Sequence, residues 1–179
     1  MSSREIARIA VCVALLAVSA WVSIPLGPVP FTLQTMVLAL VPMVLSGKAA
    51  LWAVGCYLLL GAIGLPVFSN MSGGLAIFAG PTGGFLWGFF IGTAAAVAVR
   101  AQKMLPAMVR TVLALVLLIL CSYIAGTIQF ALVSGSSPLA GLAVCVFPFV
   151  VPDIIKLACG CALGQAVRRA LSARGTSMV

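Results

Sequence analysis

Apolar residues come along this chain in long blocks separated by short polar or Pro/Gly-rich stretches, and each block reads as a membrane helix. About 20 predominantly apolar residues cross a bilayer as an α-helix. The first block covers residues 6–23 and stops at Ile24-Pro25-Leu26-Gly27-Pro28-Val29-Pro30. Three prolines in those last six residues exclude helix and predict extended chain. The second block, 32–45, is short and contains Pro42, and the third covers 49–64. A long uncharged connection from Leu65 to Gly84 follows, rich in Gly, Ser and Pro. The fourth and fifth blocks cover 85–99 and 108–133, and Ser134-Gly135-Ser136-Ser137-Pro138 reads as a turn. Residues 139–151 are apolar but hold Pro148, which predicts a short, broken or re-entrant segment. The sixth block runs over 152–171, with Pro152 in the first helical position that suits proline. The pattern predicts an all-α membrane protein: one domain over 1–179 with six transmembrane helices.

Composition agrees. The chain is 64% hydrophobic and 7% charged, against about 45–50% and about 25% in soluble domains, which excludes a water-soluble globule. Charge then sets orientation. Arg4 and Arg8 precede helix 1, Lys48 lies between helices 2 and 3, and Arg100, Lys103 and Arg110 lie between helices 4 and 5. Arg168, Arg169 and Arg174 follow helix 6, whereas the connections at 24–31, 65–84 and 134–151 carry no charge. Nine of the ten basic residues thus fall on one side, which the positive-inside rule makes cytoplasmic, with both termini inside. This dispersion also argues against nucleic acid as a partner, despite a formal charge of +8. Arg4, Arg8, the apolar run and Val18-Ser19-Ala20 imitate a cleavable signal peptide, but cleavage before Trp21 would leave five spans. A retained first helix is expected.

Absences narrow the chemistry. There is no histidine, and Glu5 and Asp153 are the only acidic residues, so His-based triads, zinc sites built on His and paired-Asp proteases are excluded. Gly47-Lys48 is followed by Ala49, and Pro42 stands where a Walker A loop needs its first glycine. The chain therefore does not hydrolyse ATP, and no catalytic residue, metal or cofactor is expected. Cys12, Cys56, Cys121, Cys145, Cys159 and Cys161 include no CxxC pair. Cys159 and Cys161 would sit about 200° apart around a helix, so the cysteines read as small apolar residues.

The tenth basic residue, Lys156, lies three positions after Asp153, on the same helical face. Both are expected in the first turn of helix 6, at its outer end. An ionisable group at membrane depth costs at least about 2.5–3.5 kcal/mol and marks a functional site by default. Complementing the helix dipole would account for Asp153 but not for Lys156, which lies at the wrong helix end. The outer connections carry the second signal. Phe31 and Gln34 in Val29-Pro30-Phe31-Thr32-Leu33-Gln34-Thr35, and Asn70, Ser72, Gly73 and Gly74 in the 65–84 loop, mix small polar groups, glycines and aromatics. That mixture suits a pocket with backbone donors and apolar walls. Helix 1 carries Ala7, Ala10, Ala14 and Ala17. Ala10 and Ala14, four apart, form a small-residue face that serves either docking or internal packing.

With these segments in view, the chain resembles the BioY family, the substrate-binding S components of energy-coupling-factor (ECF) biotin transporters. The resemblance rests on Gly27-Pro28-Val29-Pro30-Phe31-Thr32-Leu33-Gln34-Thr35 and on Leu60-Gly61-Ala62-Ile63-Gly64-Leu65-Pro66-Val67-Phe68 leading to Ser72-Gly73-Gly74. Gly80-Pro81-Thr82-Gly83-Gly84 and Pro152-Asp153-Ile154-Ile155-Lys156 complete it. It implies a six-helix S-component fold in the bacterial cytoplasmic membrane that binds biotin at its outward face. It also implies that Asp153 and Lys156 line the pocket, that the Gly-rich loop closes it, and that Ala10 and Ala14 dock a transmembrane T subunit. Some relatives have asparagine before the paired glycines; here Ser72 stands there and Asn70 lies two residues earlier. Because the chain cannot energise transport, a T subunit and a pair of ATPase subunits are implied partners, with membrane lipid around them. Asp153 can accept from N–H groups and Lys156 can pair with an anion, and which polar groups meet the ureido ring and which the carboxylate stays open. Two alternatives stay open: an S component for another vitamin, and an ion-coupled carrier using Asp153, which should show inverted repeats that this sequence lacks.

Overall fold

The computed structural model describes residues 1–25 and 27–173; Arg174, one of the basic residues used to orient the chain, lies outside them. Eight α-helices and one small hairpin are present among the described residues. Six helices are long: α1 (Ser3–Trp21), α2 (Gln34–Val44), α3 (Gly47–Ala62), α5 (Gly83–Ala101), α6 (Ala107–Ser134) and α8 (Phe147–Ala173). Two are short, α4 (Leu75–Ala79) and α7 (Pro138–Cys145). By length and composition, α5, α6 and α8 can each cross a membrane, and α2 and α3 are shorter apolar helices. At about 1.5 Å per residue α2 is about 16 Å long, roughly half a bilayer core. The polar chain just before it is buried in protein rather than lipid, the condition for irregular backbone at membrane depth.

Close helix pairs are made by glycine. Gly84, Gly88 and Gly92 stack on one face of α5, where an added Cβ would strike the Ala125 carbonyl, Ser122 Cα at 2.5 Å and the Leu118 carbonyl at 2.6 Å. Removing those side chains lets α5 lie against the α6 backbone, the small-xxx-small geometry of membrane helices. Gly160 and Gly164 do the same for α8 against Met36 and Met43 of α2. The core then fills with Leu16, Leu38, Val41, Ala50, Val54, Tyr57 and Leu118, all fully buried. Helix α1 belongs to that core through Leu16 and Ala20.

Three expectations are corrected. The 24–30 stretch is not merely extended: Ser23–Ile24 (β1) pairs antiparallel with Phe31–Thr32 (β2), so α1 ends at Trp21 and α2 starts at Gln34. The 65–84 loop is partly helical, with a 3-10 turn at Ser69–Met71 and then α4. Helix α8 begins at Phe147, not Pro152, which lies inside it. Asp153 and Lys156 are therefore in its second and third turns. Pro148 fits the first turn, and a proline deeper in a membrane helix is tolerated because neighbouring groups re-satisfy the freed carbonyl.

Basic residues collect at one end of the molecule. Arg100, Arg110 and Arg168 line one hollow, and Arg100 and Arg168 line another with Ser46 and Ser172. Ser46 also donates to Glu5 of α1 at 3.3 Å. The hairpin and the 65–82 loop lie at the other end, where Trp21 Nε1 donates to the Pro66 carbonyl at 2.7 Å.

Candidate functional site

Asp153 and Lys156 are buried, 4% and 7% exposed, and form an ion pair on α8. Asp153 Oδ1 also accepts from Thr35 Oγ1 at 2.9 Å, and Oδ2 accepts from the Tyr123 hydroxyl at 2.6 Å. Lys156 Nζ donates to the Thr32 carbonyl at 2.9 Å and lies 4.2 Å from the centre of the Phe31 ring. Phe31 in turn stacks on Phe149, with centroids 6.4 Å apart. Four elements thus converge on one ion pair. The hairpin and start of α2 supply Thr32 and Thr35, α6 supplies Tyr123, and α8 supplies the charges.

Desolvating two charges costs several kcal/mol each, and an apolar pair of similar size would often cost less. The cost here is offset by hydroxyl and carbonyl partners and a cation–π contact. A buried pair held this way, beside a cavity, has a better account in ligand recognition than in stability. The cavity is lined on the charged side by Thr32, Gln34, Thr35, Tyr123, Asp153 and Lys156. Val29, Pro30, Phe68, Ser69, Ile77 and Thr82 line it from the loops, and Phe85, Phe89, Ile119 and Phe149 add apolar wall. Gln34 is already committed: its Oε1 accepts from Thr32 Oγ1 at 3.0 Å and its Nε2 donates to the Tyr57 hydroxyl at 2.7 Å. Tyr57 then donates to the Val67 carbonyl at 3.1 Å, tying the hairpin to the start of the loop.

The expected site residues separate into two groups. Asp153, Lys156 and Gln34 line the cavity; Phe31 does not, but lies against Lys156, which does. Asn70, Ser72, Gly73 and Gly74 do not line it; they shape the loop that does. Ser72 Oγ donates to the Ser69 carbonyl at 2.7 Å, and the Gly74 N–H donates to the Gly61 carbonyl at 2.7 Å. Gly73 is so close to the Leu65 carbonyl that a side chain has no room. Exposed Asn70 takes a left-handed φ of 56°. Ser69, one residue before Asn70, reaches the cavity instead. Thr35 and Tyr123, the two hydroxyl partners of Asp153, were not among the expected site residues. Tyr123 had a signal in the sequence: it is the one tyrosine in α6, an apolar helix where a buried hydroxyl needs a partner.

Ala10 and Ala14 are exposed on α1, whereas Ile9, Cys12, Leu16 and Ala17 turn inward. The small-residue face is a surface, not internal packing.

Apolar outer faces around a buried charged pair, set in the wall of a largely apolar cavity, define a multi-pass membrane protein. The BioY family model matches residues 1–173, and the chain belongs to that family. It is 38% identical over 158 residues to a probable biotin transporter BioY of Pyrococcus horikoshii, covering 88% of this chain and 92% of the relative. A biotin transporter BioY of Thermotoga maritima is 52% identical over 89 residues, which span 50% of this chain and 53% of that protein. The fold matches the crystal structure of the S-component for biotin from an ECF-type ABC transporter with a TM-score of 0.82 at 23% identity, covering 94% of this chain and 95% of that one.

Proposed function

We propose that this chain is the substrate-specific component of a biotin uptake system and binds biotin in the cavity beside Asp153 and Lys156. The observation that carries the reading is the buried ion pair on the cavity wall, in a chain of the BioY family. The chain is a transporter subunit and not an enzyme. Six spans in a single membrane domain over 1–179, with both termini cytoplasmic, are supported by the collection of arginines at one end. The cavity then opens toward the outside.

An ion pair sets an acceptor and a donor side by side. The ureido ring of biotin does the same, presenting N–H next to C=O, whereas its carboxylate sits at the far end of the valerate chain. Asp153 and Lys156 touch each other, so they serve one end of an extended ligand rather than both. The sequence alone leaves open which end Lys156 meets. We assign the pair to the ureido edge: Asp153 accepts from N–H and Lys156 donates to the carbonyl. Phe85, Phe89 and Phe149 provide apolar surface for the bicycle, and Ser69 and Thr82 lie on the loop side for the tail. Gln34 and Phe31 position the hairpin and Lys156, while Asn70, Ser72, Gly73 and Gly74 act by shaping the loop. A transmembrane T subunit docks on the Ala10/Ala14 face, and a pair of ATPase subunits energises uptake. Biotin is the transported substrate, not a cofactor.

Equilibrium binding of labelled biotin to the purified protein, competed by other vitamins, tests the reading. Saturable binding displaced by unlabelled biotin alone supports it. Displacement by another vitamin at lower concentration than biotin identifies an S component of different specificity.

A further inference from the structure

The arginine end of the molecule holds a second site that the biotin cavity does not use. Below Tyr123, α6 and α8 part and leave a crevice between them. Its apolar walls include Val112 and Val116 on α6 and Ile154, Ala158 and Ala162 on α8. Arg100, Arg168 and Arg169 stand at its mouth, and Arg110 joins Arg100 and Arg168 in the adjoining hollow. The mouth is therefore cationic and the walls are greasy.

Among the described residues no carboxylate forms an ion pair with the arginines of that mouth. Of the two acidic residues, Asp153 is committed to Lys156 and Glu5 accepts from Ser46. Arg100 Nη1 has only neutral partners, Met43 Sδ at 3.0 Å and Thr111 Oγ1 at 3.5 Å. Arg110 Nη1 donates to the Arg100 carbonyl at 3.3 Å, and its Nε is buried without a partner among the described residues. Like charges gathered this way call for an anion from outside the chain. The crevice decides its form. From Arg168 to Ile154 it follows α8 for about 21 Å, long enough for one leaflet of a hydrocarbon core about 30 Å thick. We propose that this crevice binds an anionic phospholipid of the leaflet on the arginine side, with its phosphate among Arg100, Arg168 and Arg169 and one acyl chain between α6 and α8. A protein partner would use the charge but has no need of an apolar slot one leaflet deep.

Thermal unfolding of the purified full-length protein in a neutral detergent tests this, with phosphatidylglycerol, phosphatidylcholine or inorganic phosphate titrated in. Phosphatidylglycerol should raise Tm saturably, and the other two should not at equal concentration. Arg168→Gln/Arg169→Gln should shift the phosphatidylglycerol midpoint about tenfold or more to higher concentration, with biotin affinity unchanged. Ala162→Phe, which fills the slot and keeps the arginines, should also weaken the lipid effect; if it fails to fold, the arginine variant decides alone. Equal stabilisation by phosphatidylcholine, or by phosphate without a lipid, overturns the proposal. So does an arginine variant that titrates like the parent, or one whose only defect is capture of the T subunit.

Discussion

The Tyr123 hydroxyl on α6 donates to Asp153 Oδ2 on α8 at 2.6 Å, and Thr35 at the start of α2 donates to the other oxygen at 2.9 Å. The carboxylate is thereby held in one orientation from two sides, with Lys156 completing its shell. A charge fixed by hydroxyls that remain in place does not have to reorganise when a ligand arrives. On the proposed reading, recognition in this pocket is built on that fixed acceptor.

Tyr123→Phe keeps the ring and removes the donor. Biotin affinity should fall, by less than the about 1.5–3 kcal/mol that a hydrogen bond to a charged group is worth, because this bond is made with and without the ligand, as read by equilibrium binding to the purified variant. Wild-type affinity would mean that the orientation of Asp153 does not matter to the ligand.

The exposed face of α1 predicts a separation of functions. Ala10→Trp or Ala14→Trp should impair assembly with the T subunit, measured by co-purification, and leave biotin binding at the parental level. Loss of binding in the isolated variants would show that the face packs internally after all.

The glycine seam predicts a stability effect with no ligand contact. A methyl at Gly88 would stand 2.5 Å from Ser122 Cα, so α5 and α6 must separate. Gly88→Ala should lower Tm in detergent, at a cost of about 1–3 kcal/mol for overpacking. An unchanged Tm would mean that the helix pair slides apart freely.

Orientation can be read with single cysteines in a background lacking reactive native thiols. Leu75 and Leu139 are about 70% exposed, at 72% and 71%, and Met104 is 95% exposed. Leu75→Cys and Leu139→Cys should label in intact cells with an impermeant reagent, and Met104→Cys only after lysis. The reverse pattern would invert the topology.

Much of this was legible in the sequence, and the losses have physical causes. Hydrophobic blocks located the six long helices to within a few residues, because burial in lipid depends on composition more than on periodicity. The charged pair was visible because Asp153 and Lys156 are costly at membrane depth. One proline misled. Pro152 suits a helix start in water, but α8 begins at Phe147 and runs through it. The 65–84 loop misled differently: Gly73 makes room for the Leu65 carbonyl and Asn70 takes a left-handed turn, and only the fold places Ser69 and Ile77 on the cavity. Gly84, Gly88 and Gly92 were spaced for a helix seam, yet the partner helix could not be inferred from spacing alone. Thr35 and Tyr123 were out of reach as a pair, because their relation exists only through Asp153.

The central claim is that Asp153 and Lys156 together meet the ureido end of biotin. It is tested most directly by the affinities of Asp153→Asn and Lys156→Met for biotin and for biotinamide, whose tail is uncharged. Both variants should weaken both ligands in parallel, by about 1.5–3 kcal/mol for each charge-assisted bond lost, leaving the preference for biotin over biotinamide intact. Lys156→Met losing that preference while still binding biotinamide at the parental affinity would place the lysine on the carboxylate and contradict the account.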